Sequence, residues 1–262
     1  MSETLFTHRP GAADAAPVVR TLVSERDLAP LPEPARRYLR AMGVVGRARD
    51  TSFHLAWKGR FRPRVGSPWL RCDAWQCNTC EPVTRDFRMR LWAGGVVPVH
   101  GRDSYADGHG RMLIRTLGLF TIADATGHEL DMGELVTWLD DAILFAPSML
   151  LAPNVKWLEA DGHSFDLDFE DHGLRVHGRV RVDARGLPLY FVTHDRWCAN
   201  PVDRGRLIRA QWRTPVDEWT EVDGRTVPVR VRAIWHLPQG EFTYADVRVV
   251  PENLAWNEPP PD

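Results

Sequence analysis

Four groups of residues in this 262-residue chain have types and spacings that could do chemistry. The first is Cys72-x4-Cys77-x2-Cys80, with Cys198 far downstream, which is the ligand spacing of a plant-type iron–sulfur site. Strand alternation would put Cys72 and Cys80 on one side and Cys77 on the other, and Trp69, Trp75 and Gln76 around them read as strand rather than as a cluster-wrapping loop. Ordinary reduced thiols are the simpler reading. The second is His100-x2-Asp103-x3-Asp107-x-His109, which offers ligand types for a divalent metal. Gly101, Gly108 and Gly110 lie among them, and Asp107-Gly108 is foremost a turn signal. We therefore expect no metal and no cofactor.

The third group is Glu134, Asp140 and Asp141. At helical spacing Glu134, Trp138, Asp141 and Phe145 share one side, beside an apolar stripe. A carboxylate at such a boundary is harder to ionise, and its raised pKa suits general acid or base work near neutrality. The plainer alternative is a capping Glu134 and a structural Asp141. The fourth group is the run Tyr190–Trp197, where alternation puts Tyr190, Val192, His194 and Arg196 on one face and Phe191, Thr193, Asp195 and Trp197 on the other. Both faces mix polar with large apolar groups, as in a strand bordering a wet pocket. Arg196 there could tie to Asp141 or orient a ligand carboxylate or carbonyl.

The elements that must position these groups follow from the period of the apolar residues. Leu31–Gly43 begins with prolines, has Glu33 in its first turn and ends on glycine, which predicts a short helix burying Ala35, Tyr38, Leu39 and Met42. From Thr51 the period becomes two. In Leu174–Val182, Leu174, Val176, Val180 and Val182 point one way and Arg175, His177, Arg179 and Arg181 the other. Similar strands are read at 53–57, 83–92, 96–105, 111–115, 164–170, 187–197, 206–213, 225–237 and 240–250. One helix interrupts them: Asp131-Met132-Gly133-Glu134 has the form of a capping box, and Leu135, Trp138, Leu139, Ala142 and Ala146 follow at helical steps until Pro147.

The fold class expected is mainly β: a strongly curved antiparallel sheet, barrel or half-barrel, with a short N-terminal helix and one amphipathic helix packed on the open side. The chain divides into a flexible segment 1–30, a single β-rich domain 31–254 and an extended tail 255–262.

Six blocks then carry a resemblance. Leu31-Pro32-Glu33-Pro34 with Arg36-Arg37-Tyr38-Leu39, Gly101–Tyr105, Leu139-Asp140-Asp141 with Phe145-Ala146-Pro147, Phe191–Arg196, Trp212–Pro215, and Trp235 with Gly240–Tyr244 resemble an uncharacterised bacterial family over residues 31–254. The resemblance implies a single β-rich domain. It implies no activity, and members generally lack the cysteine cluster.

Composition narrows the function. The chain has 33 basic and 35 acidic residues, a formal charge of −2, which removes the basic excess that nucleic-acid binding needs. No stretch is long and apolar enough for a membrane span, and Met1-Ser2-Glu3-Thr4 lacks the plan of a signal peptide, so a cytoplasmic location is expected. There is no G-x-S-x-G, dinucleotide fingerprint or phosphate loop. Eleven Trp residues can line a large apolar interior. The preferred reading is a cofactor-independent enzyme performing acid–base chemistry, a cyclisation or isomerisation, on a small hydrophobic molecule. Asp141 is its acid or base and Arg196 its orienting group, with Tyr105, Trp138, His194, Trp235 and Tyr244 lining the pocket. A non-catalytic carrier of a hydrophobic ligand and a protein-interaction platform stay open beside it, and oligomeric state is undetermined.

Overall fold

The structure, a computed structural model, describes residues 21–203 and 205–260. Two helices lead in: α1 (Glu25–Leu28) and α2 (Glu33–Ala41). Pro32 caps α2, and Ala35, Tyr38, Leu39 and Met42 are buried on its inner face, as the spacing predicts. The sequence expectation of a flexible segment through residue 30 is corrected over 21–30. Leu22 bridges to Ala48, and burial of Val23 and Leu28 fixes this stretch to the core. Residues 1–20 of that segment lie outside the described residues.

Fifteen strands follow in the described chain: β1 (Ser52–Phe61), β2 (Leu70–Cys80), β3 (Val83–Ala93), β4 (Val97–Ala106), β5 (His109–Thr116), β6 (Phe120–Ala125), β7 (Val155–Asp161), β8 (Ser164–Asp171), β9 (Leu174–Val182), β10 (Pro188–Thr193), β11 (Trp197–Ala199), β12 (Leu207–Arg209), β13 (Gln211–Val222), β14 (Arg225–Leu237) and β15 (Gly240–Trp256). Thirteen form one antiparallel sheet in the order β6-β5-β4-β3-β2-β1-β15-β14-β13-β10-β9-β8-β7, and β11 and β12 make a separate two-stranded ribbon. The end strands β6 and β7 do not pair, so the sheet is an open half-barrel. Its N-terminal arm, β1–β6, is a run of hairpins, and β15 closes back onto β1.

The long helix α3 (His128–Phe145) lies in the trough and packs against β3, β4 and β5 on one arm and β9, β10 and β14 on the other. Its turns from Met132 onward are buried almost all round, which is the position of a helix enclosed by a core. Trp138 stacks on Phe169 with centroids 4.7 Å apart, and Tyr38 donates its hydroxyl to the Ile143 carbonyl at 2.6 Å. A short 3-10 turn, Pro147–Leu151, ends the helix segment. No helix among the described residues is long and apolar enough to cross a membrane.

The pattern read in 174–182 is the pattern of β9: Val176, Gly178, Val180 and Val182 are buried, and the outward Arg175, His177 and Arg179 stand opposite Glu170, Asp168 and Asp166 of β8. Gly178 is required by packing, because a Cβ there would meet the Phe191 ring at 2.0 Å. The expected tail from residue 255 is corrected at its start. The Trp256 indole donates to the Phe145 carbonyl at 2.7 Å, and Asn257 accepts from the Thr51 amide at 2.7 Å, so β15 remains anchored there.

Candidate functional site

Polar residues stand at positions of apolar parity on three neighbouring strands, and they converge on α3. On β3, Val83, Met89 and Leu91 point inward, and Arg85 shares their side. On β2, Gln76 and Asn78 share the inward side of Cys72 and Ala74. On β4, Asp103 shares that of Tyr105. Opposite them α3 presents Glu134, Asp140 and Asp141, all buried.

Arg85 is the centre of this cluster. Its Nη1 meets Glu134 Oε2 at 2.8 Å and its Nε meets Asp141 Oδ2 at 2.8 Å, with all three side chains under a tenth exposed. Asn78 Nδ2 donates to the same Asp141 oxygen at 3.2 Å, Gln76 donates to Asn78 at 3.1 Å, and the Trp57 indole donates to Gln76 at 3.0 Å. A hydrogen-bonded chain therefore runs from β1 through β2 to α3. Thr214 on β13 donates to Asp140 at 2.8 Å. Arg196 enters from the other arm; its guanidinium lies 4.2 Å from the Trp212 ring centroid and 5.6 Å from that of Trp235. Its Nη1 is buried without a hydrogen-bond partner, and so is Asp103 Oδ1.

These groups border a partly open cavity of about 130 Å³, lined by apolar surface from Trp57, Phe61, Phe87 and Met89 and by Trp212 and Tyr244 across the trough. Burial dominates the electrostatics. It pushes the Glu134 carboxyl up to about 7 against the pull of Arg85, and it raises Asp141 while Arg85 and the hydrogen bonds hold it down. Asp140 is raised well above the usual carboxylate range by burial and by the neighbouring Asp141, and Asp103 is raised by burial.

Of the seven residues singled out in the sequence, the cavity brings together Asp141, Arg196 and Tyr244. Asp141 meets Arg85 rather than Arg196. Trp235 stands behind this wall, its ring 6.2 Å from Tyr244. Trp138 lies outside the cavity lining, stacked on Phe169 of β8 and donating to the Thr79 carbonyl of β2 at 2.9 Å. The Tyr105 hydroxyl donates to Asp171 at 2.7 Å, away from the cavity. His194 is exposed, and its carbonyl accepts from Arg209 at 2.7 Å. The cause is a break in the strand: β10 ends at Thr193 and β11 begins at Trp197, so the alternation expected across 190–197 does not carry through 194–196.

The capping box expected at Asp131–Glu134 is also corrected. α3 begins four residues earlier with Gly127 as its cap, Asp131 accepts from the Gly110 amide at 2.7 Å, and Glu134 serves the cluster. Glu134 was read in the sequence as one of a helical acid group or a cap, and Asp103 within a metal-type spacing; Arg85, Gln76 and Asn78 are the site residues that sequence reasoning missed. The signal was present as a charged or amide side chain at the inward parity of an otherwise apolar strand.

The thiols take no part in the polar cluster. Cys72 and Cys80 share the inward side of β2, and Cys77 faces outward. Burial pushes Cys72 up to about 12 and Cys80 and Cys198 to about 11, far from thiolate. The His100–His109 stretch is the β4–β5 hairpin, with positive φ at Asp107 and Gly108. His100 and Asp103 fall on opposite faces of β4.

Fold and site together define a half-barrel that encloses a helix and a small amphipathic cavity with a buried ionic wall. The chain belongs to the family of unknown function DUF6544, whose model matches residues 21–247. Among solved structures it is similar to a putative outer membrane lipoprotein-sorting protein domain from Vibrio parahaemolyticus, at 11% identity over 79% of this chain and 86% of that one, TM-score 0.41. It is also similar to a DUF1329 family protein from Desulfovibrio piger, at 14% identity over 87% and 93%, TM-score 0.44. A third is a LolA superfamily protein from Nitrosomonas europaea, at 10% identity over 92% and 96%, TM-score 0.39. No curated protein matches the chain.

Proposed function

We propose that the protein binds a small, largely apolar molecule in the trough between α3 and the concave face of the sheet, without turning it over. The observation that carries this reading is the division of labour among the charged groups. Asp141 is held by Arg85 and Asn78, whereas Arg196 Nη1 is buried without a partner beside an aromatic, mainly apolar lining. A recognition site needs that arrangement: an apolar enclosure and a few fixed polar groups that orient the guest. A cavity of about 130 Å³ is close to the roughly 150 Å³ engineered apolar cavity that admits benzene. It therefore takes a ring or a short branched chain whole, and a longer molecule only by one end.

A second reading keeps the chemistry but moves it. Glu134, held at about 7 at the cavity wall, has the proton affinity of a general acid or base. Cyclisation or isomerisation would then run through Glu134, not Asp141. The two readings separate on one comparison. Purified protein is titrated with apolar fluorescent probes and incubated with candidate metabolites, alongside Arg196→Met and Glu134→Gln. The carrier reading expects saturable binding, weakened about tenfold or more in Arg196→Met through loss of a charged hydrogen bond, and no turnover by any form. Turnover by the wild type that Glu134→Gln abolishes would overturn it in favour of the enzyme. Failure of every apolar probe to bind would overturn both.

A further inference from the structure

The sheet ends differ in character, and one of them has no counterpart in the cavity. Antiparallel order puts the β1–β2, β3–β4 and β5–β6 connections, residues 62–69, 94–96 and 117–119, at the same end. Val65, Val96, Leu117 and Leu119 stand on them with exposures of 55%, 76%, 55% and 80%. Phe120 and Ile122 extend the apolar surface along the edge strand β6, where Arg115 pairs with Thr121 and Ile114 with Ala123, so that Ile122 bulges out of register. None of the three loops contains an acidic residue.

Behind the tips lies a band of cations. Arg90, His100 and Arg115 are directly paired positions on β3, β4 and β5 and share the convex face. Arg90 and Arg115 are exposed, as is Arg64 on the first loop. Asp73, across from Arg90, is engaged by Arg71 and by the Trp92 indole. The opposite end carries the reverse: the β2–β3 and β4–β5 connections bear exposed Glu81 and Asp107.

Apolar side chains at this exposure on contiguous hairpins mark a docking surface rather than scattered surface residues. Their shape and charge decide the occupant. The tips are exposed hairpin ends, and arginines follow them inward along the strands. In a bilayer interface the aliphatic and aromatic groups would enter the acyl boundary while the guanidinium groups reach the phosphate layer. Pairing of β6 with the β6 of a second copy would cover Phe120 and Ile122 but leave Val65 and Val96, on hairpins further into the sheet, in water. We propose that this end of the half-barrel is a peripheral docking surface for an anionic lipid bilayer. The inference is independent of what the cavity holds.

The test is co-sedimentation of the full chain with vesicles of phosphatidylcholine alone and of phosphatidylcholine with phosphatidylglycerol. The protein is expected to pellet with the anionic vesicles and to be released by salt. Val96→Asp with Leu119→Asp should abolish pelleting. Arg90→Ala and Arg115→Ala should each weaken it about fivefold, the equivalent of about 1 kcal/mol for each basic side chain at an anionic surface. All four positions are exposed, so far-ultraviolet circular dichroism should not change. Absence of pelleting with either vesicle, or pelleting that the substitutions leave intact, would overturn the proposal. So would self-association in the absence of lipid that Val96→Asp with Leu119→Asp abolishes, since the occupant would then be a second copy.

Discussion

Arg85 is the residue on which the ionic wall depends, because two buried carboxylates, Glu134 and Asp141, share it as their cation. Removing it leaves buried charge uncompensated, so Arg85→Met should lower stability to urea by about 3–5 kcal/mol. Adding Glu134→Gln and Asp141→Asn to that variant should restore most of the loss, and failure of the triple variant to recover would mean that Arg85 acts by packing alone. Glu134 also makes stability depend on pH in an unusual direction. Its folded pKa is raised to about 7 from an ordinary 4.5, so the folded state keeps a proton that the unfolded chain has released. The contribution is complete below about pH 4.5 and is lost as pH rises toward 7. Glu134→Gln should therefore flatten the fall in Tm across that interval, and an unchanged pH profile would remove Glu134 as its source. Asp141 and Arg196 were legible in the sequence as candidates, but the tie read between them is not made. Arg85 took Asp141, because which strand faces a helix across the trough is set by tertiary packing rather than by spacing.

At the scale of elements, alternation was sufficient for β9, where the buried and charged faces follow the sequence without exception from Arg175 to Val180. It failed at 194–196, where the chain leaves the sheet between β10 and β11 and parity no longer fixes direction. α2 was legible from its prolines and closing glycine. The start of α3 was not, because Asp131 and Glu134 imitate a cap while tertiary contacts use both. Two predictions belong here. Gly178→Ala should cost about 1–3 kcal/mol through overlap with the Phe191 ring, and Phe191→Leu in the same chain should recover part of it; additive losses in thermal unfolding would contradict the contact. On the convex face Asp246 ties β15 to β14 and β1 through Arg230 and Arg60, which hold its carboxyl down at about 2. Its contribution is present above the usual carboxylate range and is lost as pH falls toward about 2. Asp246→Asn should be less stable than wild type near neutrality, with the gap closing in acid, and a gap that persists at about pH 2 would count against the ion pairs.

For the whole molecule, an open sheet of thirteen strands avoids collapsing onto itself because α3 fills the trough and is gripped from both arms. The cavity is the space that the helix and the aromatic floor leave between them. Curvature and the covering helix could be read from many short strands and one helical period. Whether the sheet closed could not, since that depends on whether β6 and β7 meet. The small residues Ala233 and Ala245, paired across β14 and β15, keep the cavity floor low. The most direct measurement is a titration of wild type and Ala233→Phe with an apolar fluorescent probe, with thermal unfolding recorded for both. The account predicts saturable binding by the wild type and its loss in Ala233→Phe, whose added ring takes up the cavity while the fold is retained. Equal binding by both, or none by the wild type, would contradict a ligand site in the trough.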